Sequence, residues 1–193
     1  MNLATKLTLS RIVAIPVIVA LFYVEFPFHY LVAAILFVLA ALTDMLDGRI
    51  ARKRNEVTDL GKLLDPIADK VLACTLLIMI AANGDQMMYF NPPVGVICTA
   101  LIVAREVLIG AIRMVAASKG RIVAADKFGK IKTALINTSI PLMMISEFHF
   151  SIKIIGDVIF VLGFIFAMIS GVNYIVNNRA LLKDKHSEDG GNE

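Results

Sequence analysis

Histidine and cysteine are scarce in this chain. Together these residues supply most zinc ligands in proteins, and cysteine alone forms disulfides. Of its 193 residues, two are cysteine and three are histidine. Cys74 and Cys98 both lie in apolar runs, so no disulfide framework is expected. His29 and His149 lie at the boundaries of apolar runs and His186 lies in the polar tail, and these positions do not indicate a metal site.

Charged residues are also few, at 18% of the chain, whereas 58% of the residues are hydrophobic and the mean hydropathy is +0.77. That is too apolar for a soluble domain, whose surface would hold many more polar residues. No small-residue cleavage site follows the first apolar run, because Glu25, Phe26 and Pro27 come next. The run is therefore interpreted as a membrane span and not as a signal peptide.

Six apolar runs predict an all-α, polytopic membrane protein with six transmembrane helices. They lie at residues 12–23, 30–44, 61–82, 94–117, 133–145 and 154–176. Helices of roughly 20 residues fit a bilayer core about 30 Å thick, with interfacial turns extending the shorter runs. A single domain is expected over residues 1–180, followed by a charged tail at 181–193 that is disordered at its end.

The segment before the first run is expected to form a short interfacial helix. Residues 2–10 alternate apolar and polar side chains and include Lys6, a pattern typical of a helix at the membrane surface. Pro16 is expected to kink the first span, because proline lacks one backbone donor and clashes with the preceding turn.

Lysine and arginine fall on one side of the predicted membrane. With six spans, the N-terminus, the second and fourth loops and the C-terminus share a side, and every Lys and Arg except Lys153 lies in those segments or their adjoining helices. The positive-inside rule then predicts a multi-pass cell-membrane protein with both termini at the cytoplasmic face. The acidic stretch between the second and third runs lies on that same face.

This stretch carries four aspartates on two predicted helical faces. Asp44 and Asp47 are spaced i, i+3 on the second helix, and Asp65 and Asp69 are spaced i, i+4 on the third. Ionisable residues at membrane depth are costly, and their default interpretation is functional. Carboxylate oxygens suit Mg²⁺, and two such cations beside a phosphate bind both the attacking and the leaving oxygen. We interpret the four aspartates as a candidate two-metal site, with interfacial salt bridges as the weaker alternative.

Small and basic residues lie among these aspartates. Gly48 and Ala51 share the carboxylate face of the second helix and leave room for a flat group such as a nucleobase. Gly61 lies on the stripe of Asp65 and Asp69 on the third helix. Arg52 suits a phosphorylated ligand, because its planar fork matches phosphate oxygens.

The whole motif resembles, without a departure, the signature of the CDP-alcohol phosphotransferases. It reads Asp44-x2-Asp47-Gly48-x2-Ala51-Arg52-x8-Gly61-x3-Asp65-x3-Asp69. The opening LTLSRIVAIP, the AREVLIGAIR of the fourth run and the GKIKT before the fifth are similar to family members whose acceptor is glycerol 3-phosphate.

The resemblance implies a reaction and a set of roles. Two Mg²⁺ or Mn²⁺ ions would be held by Asp44, Asp47, Asp65 and Asp69, and Asp69 would also be the general base. The nucleotide would be bound by Gly48, Ala51, Arg52 and Gly61. The glycerol 3-phosphate hydroxyl would attack the β-phosphorus of CDP-diacylglycerol in the membrane, giving phosphatidylglycerophosphate and CMP. A homodimer is implied as well, and no nucleic acid partner.

Cations outside the motif are candidates for binding the acceptor phosphate. They are Arg105, Arg113, Lys130 and Lys132. The two arginines share one helical side, and the two lysines precede the fifth run on the same side of the membrane. These cations favour glycerol phosphate or inositol phosphate over serine as acceptor, and phosphatidylglycerol is a further alternative. Arg105 could instead form an ion pair with Glu106 that secures helix packing.

Two other classes of protein also place aspartates in membrane helices. Intramembrane prenyltransferases bind Mg²⁺-pyrophosphate on facing helices, but with different motif spacing and usually in a longer chain. An ion transporter would use the aspartates as a cation path, which leaves Arg52 and the glycines unexplained.

Overall fold

The computed structural model describes residues 3–54, 59–84, 88, 92–118 and 127–178, with side chains at 9–43, 67–84, 88, 93–117 and 127–178. Over this part of the chain the fold is all-helical and contains no strand. Its α-helices are α1 Leu3–Leu21, α2 His29–Arg54, α3 Asp59–Ala82, α4 Pro92–Ser118, α5 Lys127–Met144 and α6 Phe150–Asn177. The predicted all-α class is confirmed, and six membrane spans stay a prediction. The predicted tail at 181–193 lies outside the described residues.

Helix α1 differs from the expected interfacial helix followed by a separate span. Residues 3–10 continue into the apolar run as one helix of 19 residues, with Pro16 inside it. No glycine or proline precedes Pro16 in this segment, so nothing interrupts the backbone hydrogen bonds between the two predicted parts. A kink at Pro16 stays a prediction.

The outer surface of the bundle is apolar. Residues 93–117 and 150–177 are each long and apolar enough to cross a membrane, by length and composition. Large hydrophobic side chains on these helices point outward, with Val107 69% exposed. Soluble proteins rarely expose such continuous apolar surface. These features indicate a membrane protein, and the six predicted crossings stay predictions.

Charged side chains are instead buried inside the bundle. Arg11 in α1, Glu106 in α4, Lys132 in α5 and Asp157 in α6 are all among the buried residues. In lipid, an ionisable group is tolerated mainly where it faces other helices and finds partners there. These four buried charges fit the polarity expected of a membrane bundle.

Helices α5 and α6 pack closely because glycines on α6 face α5. A Cβ atom added at Gly163 would lie 2.8 Å from Cδ1 of Ile136, and one added at Gly156 would lie 3.3 Å from the backbone nitrogen of Met143. Small residues at helix interfaces allow backbones to approach one another in membranes. The same pairing brings Phe128, in the first turn of α5, against Phe166 of α6, with ring centroids 6.1 Å apart.

Aromatic residues lie together at the opposite end of the bundle. Phe28, in the connection between α1 and α2, stacks on Phe148 with ring centroids 5.7 Å apart. The Nδ1 atom of His29 donates to the Leu21 carbonyl oxygen at 2.8 Å, which ties the start of α2 to the end of α1. Nδ1 of His149 accepts from the Ser151 backbone N–H at 3.1 Å and caps α6.

Candidate active site

A cavity of about 430 Å³ lies where α3, α4 and α5 meet. Five cationic side chains and one carboxylate are among its lining residues. The lining consists of Lys70 from α3, Arg105, Glu106, Ile109 and Arg113 from α4, and Gly129, Lys130, Lys132, Thr133 and Ala134 from α5. We call it the basic cavity. All four residues predicted to bind the acceptor phosphate line it, so the structure brings them together.

Glu106 organises the cations of the basic cavity. Its Oε1 atom accepts hydrogen bonds from Nζ of Lys132, at 2.8 Å, and from Nη1 of Arg105. Nζ of Lys70 lies 3.8 Å from its other oxygen, Oε2. Glu106 and Lys132 are only 8% and 7% exposed, and buried charges are stable only when paired in this way.

The Arg105–Glu106 ion pair that the packing alternative expected is therefore present, but it does not account for all the cations of the basic cavity. Among the described side chains that line the basic cavity, Glu106 is the one carboxylate and stands beside five cations, which it cannot neutralise alone. The surplus of positive charge favours an anionic ligand. Lys130 is exposed and Lys132 is buried, so the cations extend from the mouth of the cavity inward.

A smaller cavity of about 70 Å³ lies next to the basic cavity, and we call it the inner cavity. Its lining residues are Asp69, Lys70, Ala73, Cys74 and Leu77 from α3, Ile102 and Glu106 from α4, and Lys132, Thr133, Ile136 and Asn137 from α5. The two cavities share Lys70, Glu106, Lys132 and Thr133. Asp69, the predicted general base, is therefore adjacent to the predicted acceptor site.

For the acidic signature other than Asp69, the structure describes the backbone and not the side chains. Helix α2 is continuous through Asp44, Asp47, Gly48, Ala51 and Arg52, and α3 is continuous through Gly61, Asp65 and Asp69. The predicted helical spacing, which places each set on one face, is thus present. Apart from Asp69, the side chains of these residues lie outside the described part, so their metal and nucleotide roles stay predictions. Where side chains are described, no group of three or more His, Cys, Asp or Glu residues could hold a metal.

Two polar residues of these cavities were missed by sequence reasoning. Lys70 is not among the predicted site residues, yet it faces Glu106 on α4. Asn137 lies in the middle of the fifth apolar run and lines the inner cavity. Both residues could have been found from the sequence by the same signal, which is a polar residue inside an apolar run. Such a side chain is costly in lipid unless it faces the protein interior.

A family model described as CDP-alcohol phosphatidyltransferase matches residues 1–169. The chain belongs to this family. The resemblance expected from the acidic signature is confirmed, and so is the assignment to the transferases. The residues matched to the CDP-alcohol phosphatidyltransferase model include both the acidic signature and the residues that line the basic cavity.

Individual relatives match most of the chain. A Rickettsia bellii protein is 37% identical over 176 residues, covering 90% of this chain and 93% of that protein. A Bacillus subtilis protein is 34% identical over 202 residues, covering 94% and 97%. A Sodalis glossinidius protein is 39% identical over 135 residues, covering 69% and 71%. Each is named CDP-diacylglycerol–glycerol-3-phosphate 3-phosphatidyltransferase.

Proposed function

We propose that this CDP-alcohol phosphatidyltransferase transfers the phosphatidyl group of CDP-diacylglycerol to glycerol 3-phosphate, giving phosphatidylglycerophosphate and CMP. The names of the relatives support both substrates. The observation that carries the proposal is the basic cavity, because its predicted phosphate-binding cations adjoin the cavity that Asp69 lines.

The basic cavity suits a small, doubly charged acceptor. Its volume of about 430 Å³ falls within the usual range for ligand sites, roughly 300–1,000 Å³. Arginine side chains can bind phosphate oxygens through two parallel N–H groups, and Arg105 and Arg113 both line the cavity. Serine has no phosphate, and its one carboxylate is offset by its own ammonium group, so it would give the cations less negative charge than a phosphate. A phosphate-bearing acceptor is therefore favoured over serine.

The chemistry replaces the phosphoanhydride bond of CDP-diacylglycerol with a phosphodiester bond to the acceptor. The acceptor hydroxyl oxygen forms a bond to the β-phosphorus of CDP-diacylglycerol, and the bond from that phosphorus to the bridging oxygen breaks. CMP leaves with the bridging oxygen. The carboxylate of Asp69 takes the proton from the hydroxyl, and a base in this position contributes about 10²–10⁴-fold to the rate. The acceptor phosphate, bound in the basic cavity, would direct its hydroxyl toward Asp69.

The predicted metal ligands fit two divalent cations by their chemistry, since hard cations such as Mg²⁺ and Mn²⁺ prefer carboxylate oxygen. Asp44, Asp47, Asp65 and Asp69 would hold them. When bound, such ions neutralise the charge that develops on a pyrophosphate as it is cleaved. Gly48, Ala51, Arg52 and Gly61 would bind the nucleotide beside them.

The same proposal includes the arrangement in the membrane. All six helices would cross the bilayer, with both termini and the basic cavity at the cytoplasmic face and two copies forming a homodimer. The sorting of Lys and Arg supports this orientation. A site at this depth would be open both to a lipid substrate in the bilayer and to a soluble phosphate ester in the cytosol.

CMP release tests the function directly. The purified protein, in detergent with Mg²⁺ or Mn²⁺, is given CDP-diacylglycerol and one acceptor at a time: glycerol 3-phosphate, inositol phosphate, serine or phosphatidylglycerol. We expect CMP release to be fastest with glycerol 3-phosphate and to stop when the metal is chelated. Faster turnover with another acceptor would assign a different phospholipid product. Absence of CMP release with every acceptor would instead support the prenyltransferase or transporter alternative.

A further inference from the structure

One face of α6 contacts both arginines of the basic cavity. Oγ of Ser170 accepts a hydrogen bond from Nη2 of Arg105 at 2.8 Å. The Tyr174 ring lies against the guanidinium of Arg113, with Cζ 5.4 Å from the ring centroid. Ser170 and Tyr174 are four residues apart and therefore share a helix face. Neither lines the basic cavity, so each acts on a ligand there only through its arginine.

Gly171 has no side chain, and this leaves room for the Arg105 side chain to lie along α6. A Cβ atom at this position would lie 3.2 Å from Cγ of Arg105 and 3.5 Å from its Nε. The first of these distances is shorter than ordinary van der Waals contact between carbon atoms, so a larger residue would push the arginine stem away from α6. Arg105 is thus fixed from two directions, by Glu106 within α4 and by Ser170 and Gly171 on α6.

The partners on α6 are neutral, which matters for an anion site. A carboxylate holds an arginine but also cancels its charge, whereas a hydroxyl or an aromatic ring orients the guanidinium and leaves the charge in place. Among the described residues, Arg113 has no carboxylate partner, and its buried Nε has no hydrogen-bond partner. Such an arginine is costly in the absence of an anion, and a bound phosphate would offset that cost.

We propose that Ser170, Gly171 and Tyr174 form a positioning face, which holds Arg105 and Arg113 in the orientation that binds the acceptor phosphate. This inference rests on the proposed function and adds to it the residues that determine acceptor affinity from outside the site. The family match ends at residue 169, so the positioning face lies directly beyond the matched region.

The ring of Tyr174, and not its hydroxyl, is the part that this role requires. Tyr174 is 5% exposed, and its hydroxyl is buried without a hydrogen-bond partner among the described residues. A buried tyrosine hydroxyl usually finds such a partner. Phenylalanine would keep the aromatic face for Arg113 and would remove an unsatisfied polar group. Leucine would keep an apolar side chain but remove the aromatic face.

The test compares steady-state kinetics of Tyr174→Leu, Tyr174→Phe, Ser170→Ala and Gly171→Ala with wild type. For Tyr174→Leu we expect the KM for glycerol 3-phosphate to rise about three- to tenfold, the range of a partly desolvated cation–π contact. Ser170→Ala and Gly171→Ala should raise it too, while Tyr174→Phe should stay near wild type. In all four variants the KM for CDP-diacylglycerol should be unchanged. Val172→Ala, at an exposed position on the same helix, is the matched control.

The outcomes separate this inference from the proposed function. If wild type does not use glycerol 3-phosphate, the proposed function fails, and the same variants are measured with the acceptor that wild type does use. If wild type uses it but Tyr174→Leu has an unchanged acceptor KM, the positioning face is wrong and the function stands. Equal losses in Tyr174→Phe and Tyr174→Leu would also overturn the inference. So would a matching rise in the KM for CDP-diacylglycerol, since that result indicates general disruption of the site.

Discussion

At the scale of single residues, Lys130 and Lys127 form a matched pair for testing the basic cavity. Both are exposed lysines in the first turn of α5, but only Lys130 lines the cavity. We expect Lys130→Ala to raise the KM for glycerol 3-phosphate about tenfold, because a hydrogen bond to a charged group contributes about 1.5–3 kcal/mol and exposure keeps this one at the low end. Lys127→Ala should leave that KM unchanged.

The same pair addresses the alternative in which these lysines only contact anionic lipid headgroups. Each basic residue near a membrane surface contributes about 1 kcal/mol to such an interaction, irrespective of which face of the helix carries it. Equal kinetic effects of Lys130→Ala and Lys127→Ala would therefore favour the headgroup explanation. A difference confined to the acceptor KM would favour the cavity.

Asp69 is the residue at which binding and chemistry can be separated. Asp69→Asn should lower kcat by at least the 10²–10⁴-fold that a general base contributes, while CDP-diacylglycerol binding stays largely intact. Binding is measured directly with radiolabelled substrate, and Asp59→Asn, at the first residue of α3, is the control. If CDP-diacylglycerol binding and turnover fall in proportion, Asp69 serves as a metal ligand and not as a base.

Asp65 should show a different defect, because its proposed role is metal binding alone. For Asp65→Asn we expect activity to be abolished or to need a much higher Mg²⁺ concentration, since one of few carboxylate ligands is lost. The measurement is turnover as a function of Mg²⁺, on protein whose helical content matches wild type. Turnover and metal dependence like those of wild type would remove Asp65 from the metal site.

At the scale of helices, Glu106 connects α4 with α5 through Lys132 and approaches Lys70 on α3. Glu106→Gln would leave buried cations without a counter-charge, a change that typically costs about 3–5 kcal/mol. We expect a lower Tm in detergent, and a larger stabilisation by glycerol 3-phosphate than in wild type, because the ligand restores negative charge. Glu147→Gln, an exposed change in the short turn before α6, should alter neither quantity.

Packing between α5 and α6 can be tested with two glycines in different surroundings. Gly156→Ala places its Cβ 3.3 Å from the Met143 backbone nitrogen, which cannot move aside as a flexible side chain can. At Gly110 the nearest atom to an added Cβ is Nζ of Lys70, at 4.0 Å. Gly156→Ala should lower the Tm, whereas Gly110→Ala should keep or raise it, since alanine favours a helix over glycine by about 1 kcal/mol. Equal effects would contradict this interpretation of the interface.

How much the sequence predicts follows from whether a feature belongs to one helix or to several. The side shared by Arg105 and Arg113 is a property of α4 alone, and the structure places both in one cavity. The contacts of Glu106 with Lys132 and Lys70 depend on how α4 packs against α5 and α3. The contact of Tyr174 with Arg113 likewise requires α6 beside α4. No periodicity within a single helix contains that information.

At the scale of the whole molecule, the membrane topology can be tested at the two ends of α5. Its 18 residues span about 27 Å at a rise of about 1.5 Å per residue, which matches a bilayer core of about 30 Å. Lys127 begins this helix, and Ser151 follows it across the short turn at Ser146–Phe148, so the two lie at opposite ends of α5. Both are exposed, and both are suitable for labelling with a membrane-impermeant maleimide.

The topology test uses Lys127→Cys and Ser151→Cys, each in a background in which Cys74 and Cys98 are replaced by alanine. The proposed orientation puts the start of α5 in the cytoplasm, because the positive charges cluster there. We therefore expect Ser151→Cys to be labelled in intact cells or spheroplasts, and Lys127→Cys to be labelled only in inverted vesicles. Labelling of both from the same side would show that α5 does not cross the membrane. The reversed pattern would place the basic cavity on the outer face, where a cytosolic phosphate ester does not reach it.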